Sequence, residues 1–278
     1  MPISPEDNKT VHRLLRILVA DDSSVTRNLV RRGINLHSEK AYFELQLASD
    51  GASAFEILRN TSIDLAFIDI NMPGLTGPEL ITAMRGTQSE SCLTIAMSTD
   101  LDQTSERVFA EYGAYHFIQK PFNSAEIAEI FRTFLVMVRT YSILIVDDSN
   151  TMRRLARKVF EKSRFSFDIS EAGGVEEAIQ VIIAKKPQII ITDYHMPGND
   201  GLQLAGAVRN VSDKIAIYMM STNDTSFLER SAAFVGVNGF LKKPFGPQDV
   251  DCIMHKYLGL DTPKFGKTRN MFSFLQRE

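Results

Sequence analysis

One feature constrains this chain more than any other: it is written twice. Residues 16–22 read RILVADD and residues 142–148 read SILIVDD. FIDINMPG at 67–74 is matched by ITDYHMPG at 191–198, MST at 97–99 by MST at 220–222, and FIQKPF at 117–122 by FLKKPF at 240–245. The four pairs keep one order and a nearly steady offset of roughly 125 residues, far longer than the ~20–50 residues of a solenoid unit. Each copy must therefore be a domain with its own core. A length of 278 residues agrees, at about 100–200 residues per domain.

Within each copy, short apolar runs alternate with longer amphipathic stretches. In copy one the strand-like runs are 16–20, 43–48, 64–68, 93–97 and 114–118, and the helical patterns are 24–34, 52–60, 78–85, 103–112 and 124–139. Several of the short runs are apolar almost throughout, as strands covered on both faces are. Copy two repeats the order, from a strand at 143–146 to a last helix near 248–258. Five β-α alternations per copy predict a parallel sheet with helices on both faces, and right-handed crossovers leave few topologies. The expected organisation is a polar arm at 1–14, a first domain at 15–140, a second at 141–261 and a tail at 262–278 too short to be another domain. No Gly/Ser/Pro linker separates the copies.

In an open parallel sheet, ligands bind beyond the carboxyl ends of the strands. Five chemical groups fall at those ends in copy one: Asp21 and Asp22 after strand 1, Asp69 after strand 3, Ser98 after strand 4 and Lys120 after strand 5. Copy two places Asp147 and Asp148, Asp193, Ser221 and Lys243 at the same points. Three clustered carboxylates repel one another unless a cation joins them. An all-oxygen pocket suits Mg²⁺, with positions left over for a phosphoryl oxygen. The ammonium and the hydroxyl could hold two more. Such a set fits phosphoryl transfer onto a carboxylate, where positioning and charge neutralisation carry the chemistry. An aspartate after a strand is by itself an ordinary cap or turn residue; it is the joint set, repeated in register, that points to function.

VADDS and IVDDS, IDINMPG and ITDYHMPG, the two MST triplets, and QKPF and KKPF together resemble the CheY-like receiver domains of bacterial two-component response regulators. The likeness covers about 15–140 and 141–260. It implies two (βα)5 flavodoxin-like doubly wound α/β domains with strand order 2-1-3-4-5. It implies that Asp69 and Asp193 accept phosphate, and that Asp21, Asp22, Asp147 and Asp148 bind Mg²⁺ together with the acceptors and the backbone carbonyls of Asn71 and His195. Ser98 and Ser221 match the switch hydroxyl, Phe117 and Phe240 the switch aromatic, and Lys120 and Lys243 the conserved-type lysine. A histidine kinase or histidine phosphotransfer protein would donate the phosphoryl group. The face built by the last two helices and the last strand would signal to a downstream protein partner, and a homodimer is compatible with this scheme.

Composition narrows the rest. Lys+Arg 31 against Asp+Glu 34 leaves a formal charge of −3, with no basic excess to hold the chain on nucleic acid. Cys92 and Cys252 cannot make a disulfide framework or a structural zinc site. No stretch approaches the ~20 apolar residues of a membrane span, and 1–16 lack a signal-peptide core, so the expected location is cytoplasmic and no membrane partner is expected. Arg153, Arg154, Arg157 and Lys158 cluster on the first helix of copy two and read first as a solvated face. His195, where copy one has Asn71, reads equally as an exposed loop residue and as a neighbour of the hydrolytic water. An aspartyl-phosphate phosphatase of the haloacid-dehalogenase kind is disfavoured, since it needs a second aspartate where Asn71 and His195 stand. Nucleotide motifs of the GxxxxGK[ST] or GxGxxG type are missing. A phosphate sink, a phosphorylation-independent scaffold, and the receiver array of a longer effector such as a cyclic-di-nucleotide synthase stand as alternatives.

Overall fold

The computed structural model describes residues 11–37, 41–84, 86–89, 91–99, 111–196, 200–222, 229–260 and 271–272. The chain forms two compact units, the first ending at Val138 and the second beginning at Arg139.

The first unit runs β1 (Val11–Ala20), α1 (Ser24–Asn35), β2 (Ala41–Ala48), α2 (Gly51–Asn60), β3 (Leu65–Asp69), α3 (Gly77–Ala83), β4 (Leu93–Ser98), β5 (His116–Gln119) and α4 (Ser124–Met137). All its strands are parallel, in the order β2-β1-β3-β4-β5. Most of the helix expected at 103–112 lies outside the described residues; 111–112 are helical. β3 and β4 are buried at every position, the signature of central strands covered on both faces. Helix starts are written in the sequence. Ser23 caps α1 by accepting the Thr26 amide at 3.3 Å, and Asn123 and Glu126 form a capping box at α4. α1 lies hard against α4: a Cβ at Gly33 would stand 2.5 Å from Ile127 Cβ.

The second unit runs β6 (Thr140–Val146), α5 (Asn150–Phe160), β7 (Ser166–Ala172), α6 (Val175–Lys185), β8 (Ile189–Asp193), α7 (Gly201–Val211), β9 (Ala216–Ser221), α8 (Glu229–Phe234), β10 (Gly239–Lys242) and α9 (Pro247–Leu258). Its parallel strands follow the same order, β7-β6-β8-β9-β10. The expected doubly wound fold is present in both copies.

Three details differ from expectation. β1 begins at Val11, inside the segment expected as a polar arm, because Val11 pairs with Ala41 before the register shifts at Leu15. Thr140, expected as the last residue of the first domain, opens β6. The tail supplies a short strand, β11 (Met271–Phe272), antiparallel to β10, so the second sheet has a sixth strand beyond the five expected. Among the described residues, no helix is long and apolar enough to cross a membrane.

Candidate functional site

Parallel register brings the strand ends together. Ala20 pairs with Ile68, so Asp21 and Asp69 leave neighbouring strands side by side; Val146 and Thr192 do the same for Asp147 and Asp193. Asp69 pairs with Met97 and Asp193 with Met220, which sets Ser98 and Ser221 one residue beyond these pairs. Both serines are buried. The carbonyls of Ser98 and Ser221 accept the amides of Lys120 and Lys243 at 2.6 and 2.8 Å, fixing where each lysine leaves the sheet. The Lys120–Pro121 and Lys243–Pro244 peptides are cis.

The lysines then close the pockets. Lys120 Nζ lies 2.7 Å from Asp21 Oδ2 and 2.8 Å from Asp69 Oδ2. Lys243 Nζ lies 2.9 Å from Asp147 Oδ2 and 3.1 Å from Asp193 Oδ2. In each copy the ammonium bridges the first aspartate of the pair to the aspartate that ends β3 or β8. The other oxygen of that first aspartate accepts a backbone amide: Ser23 N at 2.9 Å from Asp21 Oδ1, and Ser149 N at 2.9 Å from Asp147 Oδ1. Asp21 and Asp147 are buried, whereas Asp22 and Asp148 are exposed. The second aspartate of each pair is therefore the one that meets solvent.

Electrostatics follow from this packing. Burial pushes the Asp69 carboxyl above its ordinary value and the Asp21 charge adds to the push, while Lys120 and the Asn71 amide pull against it. Burial would lower the Lys120 ammonium, yet the carboxylates of Asp21 and Asp69 together hold it above its ordinary value. Asp21, Asp22 and Asp69 each offer an oxygen within 4.8 Å of the others, and so do Asp147, Asp148 and Asp193. Carboxylate oxygens at such spacing, beside only one ammonium, fit a hard divalent cation such as Mg²⁺.

The remaining expected residues lie on loops and in the cores. Asn71 and His195 are exposed on the loops after Asp69 and Asp193; the Asn71 amide lies 3.4 Å from Asp69 Oδ1, and the His195 ring packs edge-on to Tyr194 at 4.5 Å. Phe117 and Phe240 are buried in the two cores. Of the basic cluster on α5, Arg153 and Arg157 are paired with Glu171. Motif reading missed two kinds of residue. Gly77 and Gly201 open α3 and α7 so close to Asp69 and Asp193 that a Cβ would stand 2.7 Å from Asp69 O and 2.5 Å from Asp193 O. Arg27 and Arg153 contact the carbonyls of the acidic pairs. The available signal was an arginine six residues after the first aspartate in both copies.

The family model described as "response regulator receiver domain" matches this chain twice, over residues 17–132 and 143–254. Those stretches make up most of the chain, and the chain belongs to that family. Response regulator MprA of Mycolicibacterium vanbaalenii is 30% identical over 125 residues, covering 45% of this chain and 53% of that protein. Chemotaxis protein CheY1 of Helicobacter pylori is 33% identical over 108 residues, covering 38% of this chain and 87% of that protein. The chain spans about half the length of the MprA relatives that it matches. A solved two-component system response regulator/GGDEF domain protein superposes with a TM-score of 0.58 at 20% identity, covering 89% of this chain and 100% of that one. At that identity the likeness speaks to the fold. The chain is a tandem of receiver domains of the two-component response-regulator kind.

Proposed function

We propose that this protein accepts phosphoryl groups on Asp69 and Asp193 from a histidine kinase or a histidine phosphotransfer protein and signals through protein–protein contacts. The observation that carries this reading is the bridging lysine. In both copies one ammonium is placed between the acceptor and the buried aspartate of the acidic pair, where it can neutralise an incoming phosphoryl oxygen. In the transfer, an acceptor oxygen forms the new bond to phosphorus. The bond from phosphorus to the donor imidazole nitrogen breaks, and the imidazole leaves with a proton from solvent. Ser98 and Ser221, at the adjoining strand ends, would hydrogen-bond a phosphoryl oxygen, with Phe117 and Phe240 repacking in response.

Asp21, Asp22 and Asp69, and Asp147, Asp148 and Asp193, would hold Mg²⁺ with the carbonyls of Asn71 and His195; when bound, the cation supplies charge neutralisation for phosphoryl oxygens. The chemistry is confined to the protein's own aspartates, with no other substrate turned over. The protein would act in the cytoplasm, with no nucleic-acid or membrane partner. A second reading, the receiver array of a longer effector, is supported by relatives that run on beyond the matched region. A phosphate-affinity gel after incubation with acetyl phosphate and Mg²⁺ tests the main reading. Wild type should shift, chelation with EDTA should slow the reaction about a hundredfold or more, and the Asp69→Asn/Asp193→Asn double variant should not shift at all.

A further inference from the structure

Each acidic pair sits in a turn that must hold two carboxylates close together, near a third. Mutual repulsion works to open such a turn. In the first unit the Asp21 amide donates to Ala48 O at 3.2 Å, and in the second the Asp147 amide donates to Ala172 O at 3.2 Å. These bonds tie the start of the turn to the neighbouring strand. The far side is held by arginine. Arg27 Nη1 donates to Asp21 O at 2.5 Å and to Asp22 O at 3.0 Å. Arg153 Nη1 donates to Asp147 O at 2.5 Å, and its Nη2 donates to Asn150 Oδ1. Both arginines lie in the first turn and a half of the helix that follows the pair, so one guanidinium spans from the helix back across the turn. Arg153 is itself steadied by Glu171, whose Oε2 lies 3.5 Å from its Nε and whose Oε1 lies 2.6 Å from Arg157 Nε. The first unit has Leu47 at the position of Glu171, second from the end of the strand that flanks the turn.

We infer that Arg27 and Arg153 are positioning residues: each clamps the backbone of its acidic pair so that the carboxylates stay gathered for the divalent cation. The inference rests on the proposed cation binding. It makes a prediction opposite to simple charge counting. A guanidinium near a cation site repels the cation, so on charge alone its removal would tighten binding. As a clamp, its removal weakens binding, because the gathered arrangement must then be restored against repulsion.

Mn²⁺ binding to the unphosphorylated full chain, counted by electron paramagnetic resonance, separates these signs; the chain contains no tryptophan for a fluorescence readout. In an Asp148→Asn background, which leaves the first cluster as the intact one, Arg27→Gln should raise the Mn²⁺ dissociation constant about tenfold, the scale of lost support around a metal site. Arg27→Lys keeps the charge but not the planar fork, and should weaken binding in the same direction by less. Arg153→Gln in an Asp22→Asn background should repeat the pattern. Melting temperature without metal is measured alongside. A lower melting temperature with an unchanged dissociation constant means a merely structural role and overturns the inference, as does tighter binding. If Arg27→Gln does not fold, Arg27→Lys decides on the same criterion. Should the parent chain bind no Mn²⁺ that Asp22→Asn removes, the cation reading itself falls, and the clamp falls with it.

Discussion

Asp69 in the first receiver has a side chain 7% exposed, and Asp193 in the second 17%. The lysines run the other way, Lys120 at 17% and Lys243 at 9%. Around these similarly paired charges the neighbours differ. The residue after the acceptor is Ile70 in one and Tyr194 in the other; two residues after, it is Asn71 or His195. The strand beside the acidic pair ends Leu47-Ala48 in one and Glu171-Ala172 in the other. The two copies share the aspartates, serine and lysine at the strand ends and differ in the groups around them. On the proposed function, the shared groups would set what each pocket does, and the packing around them how fast and how firmly.

The largest test of that comparison is stoichiometric. Acetyl phosphate with Mg²⁺ should add two phosphoryl groups per chain by intact mass, each single Asp→Asn variant should keep one, and the double variant none. Loss of both groups in Asp69→Asn alone would show that the receivers are not equivalent acceptors. A severalfold effect is expected next, in lifetimes. The two acyl phosphates should decay at different rates if Asn71 and His195 border the attacking water, as the receiver likeness implies. Exchanging them, Asn71→His with His195→Asn, should bring the rates toward each other; unchanged rates would remove these residues from the explanation.

Stability gives a smaller effect with a definite sign. Burial raises the Asp69 pKa in the folded chain. The ionised group therefore costs stability above the folded pKa, and this cost disappears as pH falls through that pKa toward the ordinary value of 3.8. Without metal, Asp69→Asn should raise the melting temperature by a few degrees at neutral pH, with the gain vanishing in acid. Asp193→Asn, replacing a more exposed carboxylate, should gain less. Equal gains across all pH values would separate the effect from Asp69 ionisation. The smallest effect concerns Glu171. Its pairs with Arg153 and Arg157 are partly exposed, so Glu171→Gln should cost under about 1 kcal/mol and less at high salt. A loss that does not respond to salt would mean packing rather than charge.

Much of this was legible in the chain itself. The duplication and the β-α alternation carry the fold, because period and apolar runs report burial directly. Asp21, Asp69, Ser98 and Lys120 were legible as a site because each ends a strand. What stayed hidden depended on distance rather than on order. That Lys120 bridges Asp21 and Asp69, rather than facing water, follows from strand register. Arg27 looks like any other helix arginine until its reach back to Asp21 O is known. The start of β1 at Val11 depends on Ala41, thirty residues away, and no local pattern marks that pairing. β11 comes from a tail whose few apolar residues carry no strand periodicity.

The bridging lysine brings each pocket close to a balance of charge. With a divalent cation in place, three carboxylates, one ammonium and the cation sum to zero in either pocket. Phosphorylation replaces one carboxylate by an acyl phosphate carrying close to two negative charges, so the sum becomes minus one. In a pocket where Asp21 and Asp69, or Asp147 and Asp193, already share one ammonium, the nearby guanidinium of Arg27 or Arg153 is engaged by backbone carbonyls. Neutral dipoles can answer the rest of the surplus, and Ser98 and Ser221 stand at the adjoining strand ends. On the proposed function, each receiver would then be an electrometer with a resolution of one charge, and the rearrangement offered to a partner would be the cost, in oriented dipoles, of balancing it.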